Sequence, residues 1–213
     1  MSVDSSHLEG TLRITDGSIV NDHVNSAAAI ARSKLQQNDL SAYPIVSTEW
    51  RVWDSLVALL PATSSSDDLG LYPGTWGTTP WLIRSADVKT TTVTLRAACE
   101  IRIPIEYVDA QTLNLRCRAG MITTVADGSA TIDFELYRKT GDGATLSSDL
   151  ISTAATTINS TTFANKDFTI TATNVVAGDV VQIRMTMAIV DTATGTAVIG
   201  AVESVKLLAD VKG

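Results

Sequence analysis

From Leu95 onward the chain alternates strongly. Leu95, Ala97, Cys99, Ile101, Ile103 and Ile105 fall on one face, and Thr94, Arg96, Glu100 and Arg102 on the other. A helix, with its repeat of about 3.6 residues, would scatter that apolar set around its circumference, whereas a strand gathers it on one side. The segment is therefore a half-buried antiparallel strand, which needs neighbours to pair with and a second layer to cover its apolar face. The same period returns in Leu113, Leu115, Cys117 and Ala119; in Ile132, Phe134 and Leu136; in Phe168 and Ile170; and in Val181, Ile183, Met185, Met187 and Ile189. Turn-forming clusters separate these runs: Ala126 to Ser129, Thr140 to Gly143, Ala177 to Asp179 and Thr192 to Thr196. Further strands are expected over 51–60, 146–152 and 197–208.

About eight strands rich in Thr, Val and Ile predict an all-β fold, an antiparallel β-sandwich of jelly-roll type; a barrel or an immunoglobulin-like sandwich are the alternatives. With 45% apolar residues in 213, the chain has the material for a substantial core. Cys99 and Cys117 sit on apolar-facing strand positions, so they are expected as buried free thiols and not as a disulfide. On the polar faces, Arg96, Glu100 and Arg102, Arg116 and Arg118, and Asp133 and Glu135 are expected to pair across strands and set register.

Charge and patterning exclude some partners. The net charge is −7 and the 16 basic residues are scattered, which predicts no nucleic-acid footprint. No run approaches the roughly 20 apolar residues of a membrane span, and the opening MSVDSSHLEG is polar and acidic, so neither a membrane segment nor a secretion signal is expected.

Catalysis finds little support in the residues. The two histidines, His7 and His23, lie outside the strand region, so no metal cofactor site of the kind built inside histidine-lined jelly rolls is expected. A nucleophile elbow, P-loop, dinucleotide-binding glycine pattern and CxxC pair are all missing. Glu100, Glu106, Asp133 and Glu135 are the carboxylates available to a glycosidase pair, but most fall on solvent-facing strand positions beside arginines. The expectation is a protein without catalytic residues, metal or cofactor.

Two stretches point to binding instead. The connection from Pro61 to Pro80, continued by Trp81, is long for a loop inside a sandwich and carries Tyr72, Trp76 and Trp81, aromatics suited to stacking on a sugar or anchoring a protein partner; plugging the open end of the sandwich is their other use. The chain also changes character near Ser47, dividing an N-terminal arm, 1–47, from a β domain, 48–213. Within the arm, Val24, Ala28, Ala31 and Leu35 repeat at helical spacing, widened by Ala27 and Ile30. Three or four turns faced with alanine bury too little area to stand alone, so this short α-helix is expected as a docking element, either among copies of itself or on another protein; folding back over the sandwich is the alternative.

The residues Gly17-Ser18-Ile19, Asn21, Val24, Ala28-Ala29-Ile30 and Ser33-Lys34-Leu35 resemble a segment found near the attachment side of fibre or head-surface proteins of tailed bacteriophages. The stretch from Val176 to Gly213 is similar to the closing strands of jelly-roll domains in such virion proteins, with a Gly-Asp turn, a long strand, a glycine-containing hairpin and a final strand. The resemblance implies a homotrimeric virion protein made in the host cytoplasm, and a capsid decoration or cement protein that docks on the major capsid protein through Ile19, Val24, Ala28, Ile30, Ala31 and Leu35. A tail fibre or spike component whose aromatic loop binds host-surface glycan is the alternative. The chain has neither the extended repeats nor the coiled-coil heptads of long fibres, which favours the compact capsid-surface role.

Overall fold

The computed structural model describes residues 40–141, 145–193 and 195–211. The expected docking helix, with Ile19, Val24, Ala28, Ile30, Ala31 and Leu35, lies outside the described residues. Within them the chain forms two antiparallel sheets. Sheet A runs β11 (Ala164–Thr169), β7 (Leu113–Ile122), β13 (Ile199–Ala209), β5 (Leu82–Arg84) and β4 (Gly70–Tyr72), with β1 (Ser41–Ile45) also paired to β13. Sheet B runs β10 (Thr156–Thr157), β8 (Ser129–Thr140), β12 (Val180–Asp191), β6 (Thr91–Arg102), β2 (Arg51–Val52) and β3 (Ser55–Leu59), with β9 (Thr145–Leu146) paired to β8. From β6 onward the long strands alternate between layers: β6, β8 and β12 in one, β7, β11 and β13 in the other. The resulting half-orders, β1-β13-β7-β11 and β6-β12-β8-β10, are those of a jelly roll, so the expected fold class is the observed one.

The core lies between the sheets and is built by the alternating residues. Leu113, Leu115, Cys117, Ala119 and Met121 face inward from sheet A, and Ile132, Phe134 and Leu136 with Val181, Ile183, Met185, Met187 and Ile189 from sheet B, all buried. Phe134 joins the layers: its ring centroid is 4.9 Å from that of Phe168 and 6.3 Å from that of Trp50, both edge-on. Cys99 and Cys117 are buried free thiols, as the alternation predicts, and burial pushes the Cys117 thiol up to about 12, so neither is a nucleophile at neutral pH.

Several expectations need correction. The alternation suggested that β6 extends to Ile105, but the strand ends at Arg102 and Ile105 is 69% exposed. Pro104 has no N–H to continue the ladder. The expected strand over 51–60 is a hairpin, β2 and β3, turning at Trp53–Asp54. Of 146–152 only the end of β9 and an isolated bridge at Ile151 are strand-like. In β13 the register to β7 shifts between Val202 and Ser204, a bulge that lets Val202 and then Val205, Leu207 and Ala209 all face inward. Ser41–Ile45, assigned by composition to the arm, pairs residue by residue with Val205–Ala209 of β13, so the sheet begins before the change of character at Ser47.

Candidate functional site

The hairpin β4–β5 carries all three aromatics singled out in the sequence. Tyr72 pairs with Leu82 at the top of the ladder, and the residues between them form the connecting loop. That loop is closed by its own hydrogen bonds. Thr78 and Thr79 donate backbone N–H groups to the Thr75 carbonyl at 2.8 and 3.0 Å, and the Thr75 N–H donates to the Thr79 hydroxyl at 2.6 Å. Gly77 sits at φ 75°, left-handed backbone that favours glycine. Gly74 passes so near the opposite limb that a Cβ there would lie 1.9 Å from the Thr79 carbonyl oxygen. The result is a tight, pinned loop whose tip holds Trp76 at 93% exposure, with Trp81 at its exit 50% exposed.

Tyr72 lies at the root of the hairpin, away from the loop tip. It belongs to β4 and is half-buried, with the Arg84 guanidinium 3.7 Å from its ring centroid. Its hydroxyl accepts the Ser64 N–H at 3.0 Å, and the Ser64 hydroxyl donates to the Asp68 carbonyl at 2.6 Å. Tyr72 therefore anchors the root of the hairpin to the segment before it. Trp76 and Trp81 are the exposed indoles of this hairpin, carried on a loop closed by its own hydrogen bonds.

A second exposed feature has no signal in the sequence. All five residues of β3, Ser55-Leu-Val-Ala-Leu59, are exposed, and Val57 is 91% so. Among the described residues this strand ends sheet B, so its outer side presents backbone groups without a ladder partner there, flanked by Leu56, Val57 and Leu59. The devices that usually blunt such an edge, a lysine, a proline or an inward charge, are missing from it.

The outer face of sheet B gathers the carboxylates. Glu135 pairs with Arg184 and also accepts from the Tyr137 hydroxyl at 3.0 Å. Burial pushes Glu135 upward, but these donors outweigh it and hold the group below the usual carboxylate range. Asp133 is raised by burial and by neighbouring Glu135 and Asp149. Glu100 pairs with Lys139, which lowers it. Trp53 donates its indole N–H to Asp67 at 2.8 Å, with the Arg96 and Arg184 guanidinium carbons 5.0 and 5.6 Å from its ring centroid, so its ring serves as a support for arginines. On sheet A, Arg116 clasps Asp167 through two hydrogen bonds of 2.5 and 2.6 Å and Arg118 reaches Glu203 at 2.8 Å. Cross-strand pairing was legible in the sequence; most of these partners were not. Among the described residues no three His, Cys, Asp or Glu side chains converge as metal ligands, and no helix is long and apolar enough to cross a membrane.

No family model matches the chain, and no curated protein matches it either. Solved structures share its architecture. The xylan-binding module CBM15 superposes over 82% of this chain and 99% of its own, at 14% identity and a TM-score of 0.41. The CBM22-1 xylan-binding domain from Paenibacillus barcinonensis Xyn10C covers 68% of this chain and 83% of its own, at 9% identity and a TM-score of 0.39. A structure of infectious bursal disease virus, Gt strain, covers 72% of this chain and 42% of its own, at 12% identity and a TM-score of 0.32. The likeness is one of β-sandwich architecture. The chain is thus defined as an antiparallel β-sandwich, with Trp76, Trp81 and β3 among its exposed apolar surfaces.

Proposed function

We propose that the protein is a structural component of a virus particle, a decoration or cement protein of a tailed bacteriophage capsid, without catalytic activity and working as a homotrimer on the capsid surface. The observation that carries this reading is the apolar strand β3, which ends sheet B among the described residues and gives a sandwich of this size a flank suited to burial against another chain. The phage-like residues between Gly17 and Leu35 and from Val176 onward supply the particle, and the major capsid protein is then the docking partner. A cement protein stabilises neighbouring capsomers by burying surface, which needs rigid domains and no reaction chemistry.

The test is quantitative mass spectrometry of purified particles, followed by immunogold labelling. Many copies per particle and label over heads support the reading. Absence from particles, or label confined to tails, overturns it. The exposure of Trp76 on its pinned loop favours a second reading, a tail-associated protein that binds host-surface glycan. A glycan array that responds to the natural chain and not to Trp76→Ala would establish it.

A further inference from the structure

The hairpin that presents Trp76 is free of charge along its whole length. From Leu69 to Ile83 the chain carries no Asp, Glu, Lys, Arg or His, although 18% of the protein's residues are charged. Charge returns at both roots, with Asp67 and Asp68 on one limb and Arg84 on the other. The ladder turns this charge-free stretch into a projecting tip. Arg84 pairs with Gly70, and Leu82 with Tyr72, two residues further out. At about 3.4 Å per residue the last pair stands about 7 Å beyond the level of Arg84, and the loop lies beyond that. Every residue from Thr75 to Trp81 is exposed. The tip also carries few free donors. Of the eight backbone nitrogens from Pro73 to Pro80, two are prolyl and have no hydrogen, and those of Thr75, Thr78 and Thr79 donate within the loop. Donors satisfied in this way need not be stripped of water when a segment enters an apolar layer.

We propose that the β4–β5 tip docks on a zwitterionic lipid surface, with Trp76 and Trp81 in the headgroup boundary and the charges of Asp67 and Arg84 left in water. Indole favours that layer because its ring is apolar while its N–H still meets polar groups. Interfacial elements enter to a depth of about 5–10 Å, which the charge-free height of the hairpin matches. A sugar stacked on Trp76 would also call for hydrogen-bonding side chains around the ring. Apart from the two indoles, those between Leu69 and Ile83 are Tyr72, Thr75, Thr78 and Thr79, and the Tyr72 and Thr79 hydroxyls already accept the Ser64 and Thr75 N–H groups. A protein partner would need a concave pocket shaped to this convex tip, whereas a lipid surface deforms around it. The net charge of −7 selects a zwitterionic surface over an anionic one. The inference goes beyond the particle reading and does not depend on it; it competes only with the glycan use of the same loop.

The test is a titration of the full chain with phosphatidylcholine vesicles, read by cosedimentation and by quenching of tryptophan fluorescence with brominated acyl chains. The proposal expects sedimentation that rises with lipid, emission shifted to shorter wavelength, quenching by the brominated lipid, and little change when salt is added. Replacing part of the lipid with phosphatidylserine should weaken binding at low salt. Trp76→Ala should weaken partitioning about tenfold. Because Trp76 is 93% exposed, that variant keeps its far-UV spectrum and Tm. Thr78→Asp, which retains both indoles and sets one charge at the tip, should weaken binding by up to about fivefold. Val57→Lys on the β3 edge should bind as the natural chain does. No sedimentation with vesicles, quenching undiminished in Trp76→Ala, tighter binding to phosphatidylserine, or equal losses in Val57→Lys and Trp76→Ala each overturns the proposal. A chain that ignores vesicles but binds a glycan array through Trp76 overturns it too, and gives the tip to a sugar.

Discussion

Asp133 and Asp167 show how similar carboxylates on the two sheets take opposite consequences from their surroundings. Asp167 is held low by its two hydrogen bonds from Arg116, whereas Asp133 is raised by burial and by the negative charges of Glu135 and Asp149, although it accepts the Phe134 N–H at 3.0 Å. A raised folded-state value means that the folded chain holds the Asp133 proton more tightly than the unfolded one. Stability from this group is therefore complete at low pH and declines as pH rises through the folded-state value, leaving a penalty at neutrality. Asp133→Asn keeps an acceptor for the Phe134 N–H and removes the charge. It should raise Tm at pH 7 by up to about 2–4 °C, with the gain vanishing below about pH 3.9, where unfolded aspartate protonates. Thermal melts of both proteins from pH 3 to 8 check this, and an unchanged or lower Tm at pH 7 counts against it. The residue types were readable in the sequence, but the signs of these shifts were not, because they depend on Arg116 and Asp167 meeting across β7 and β11 and on Asp149 arriving from a separate loop.

Two elements carry exposed apolar surface for different reasons. The β4–β5 hairpin is closed by contacts that fix its tip, and Gly74 is the residue on which the closure turns. Gly74→Ala would drive a methyl against the Thr79 carbonyl, open the loop and lower Tm modestly, while weakening any Trp76-dependent binding about as much as Trp76→Ala does. Binding retained at full strength by Gly74→Ala would show that loop closure is not needed to present Trp76. The β3 edge has no internal work to do: Val57 is 91% exposed, so Val57→Lys should change folding stability by no more than about 0.5 kcal/mol. The same variant blunts the edge and should lower the mass of the assembled protein in light scattering, and an unaltered assembly would remove β3 from the interface. The aromatic loop was visible as a cluster of Trp, Gly and Pro. The β3 edge was not, because seven of the ten residues from Arg51 to Leu60 are apolar and only the fold of this run into a hairpin decides that its second half ends the sheet among the described residues.

At the scale of the whole molecule, the fold is closed by pairings distant in sequence. Ser41 lies opposite Ala209 and Ile45 opposite Val205, so the described N-terminal strand completes the edge of the last one. A chain starting at Asp39 keeps that pairing and serves as the reference. One starting at Ser47 should lose about 2–4 kcal/mol, because Ile45 leaves the core and five ladder positions of β13 lose their partner. Urea titration of the two truncated chains decides it, and equal midpoints would mean that β1 contributes nothing to the sandwich. Such non-local pairing also predicts folding in milliseconds to seconds rather than microseconds. The alternation of Leu95 to Ile103, Leu113 to Ala119 and Val181 to Ile189 by itself determined an antiparallel two-layer β fold with buried thiols, since side-chain direction in a strand follows from backbone geometry one residue at a time. What the tertiary structure alone decided was which strand lies beside which: the β13 bulge, the pairing of β1 with β13 and, among the described residues, the place of β3 at the end of sheet B. These arise where strands far apart in the chain meet or fail to meet, and no local period in a sequence carries that information.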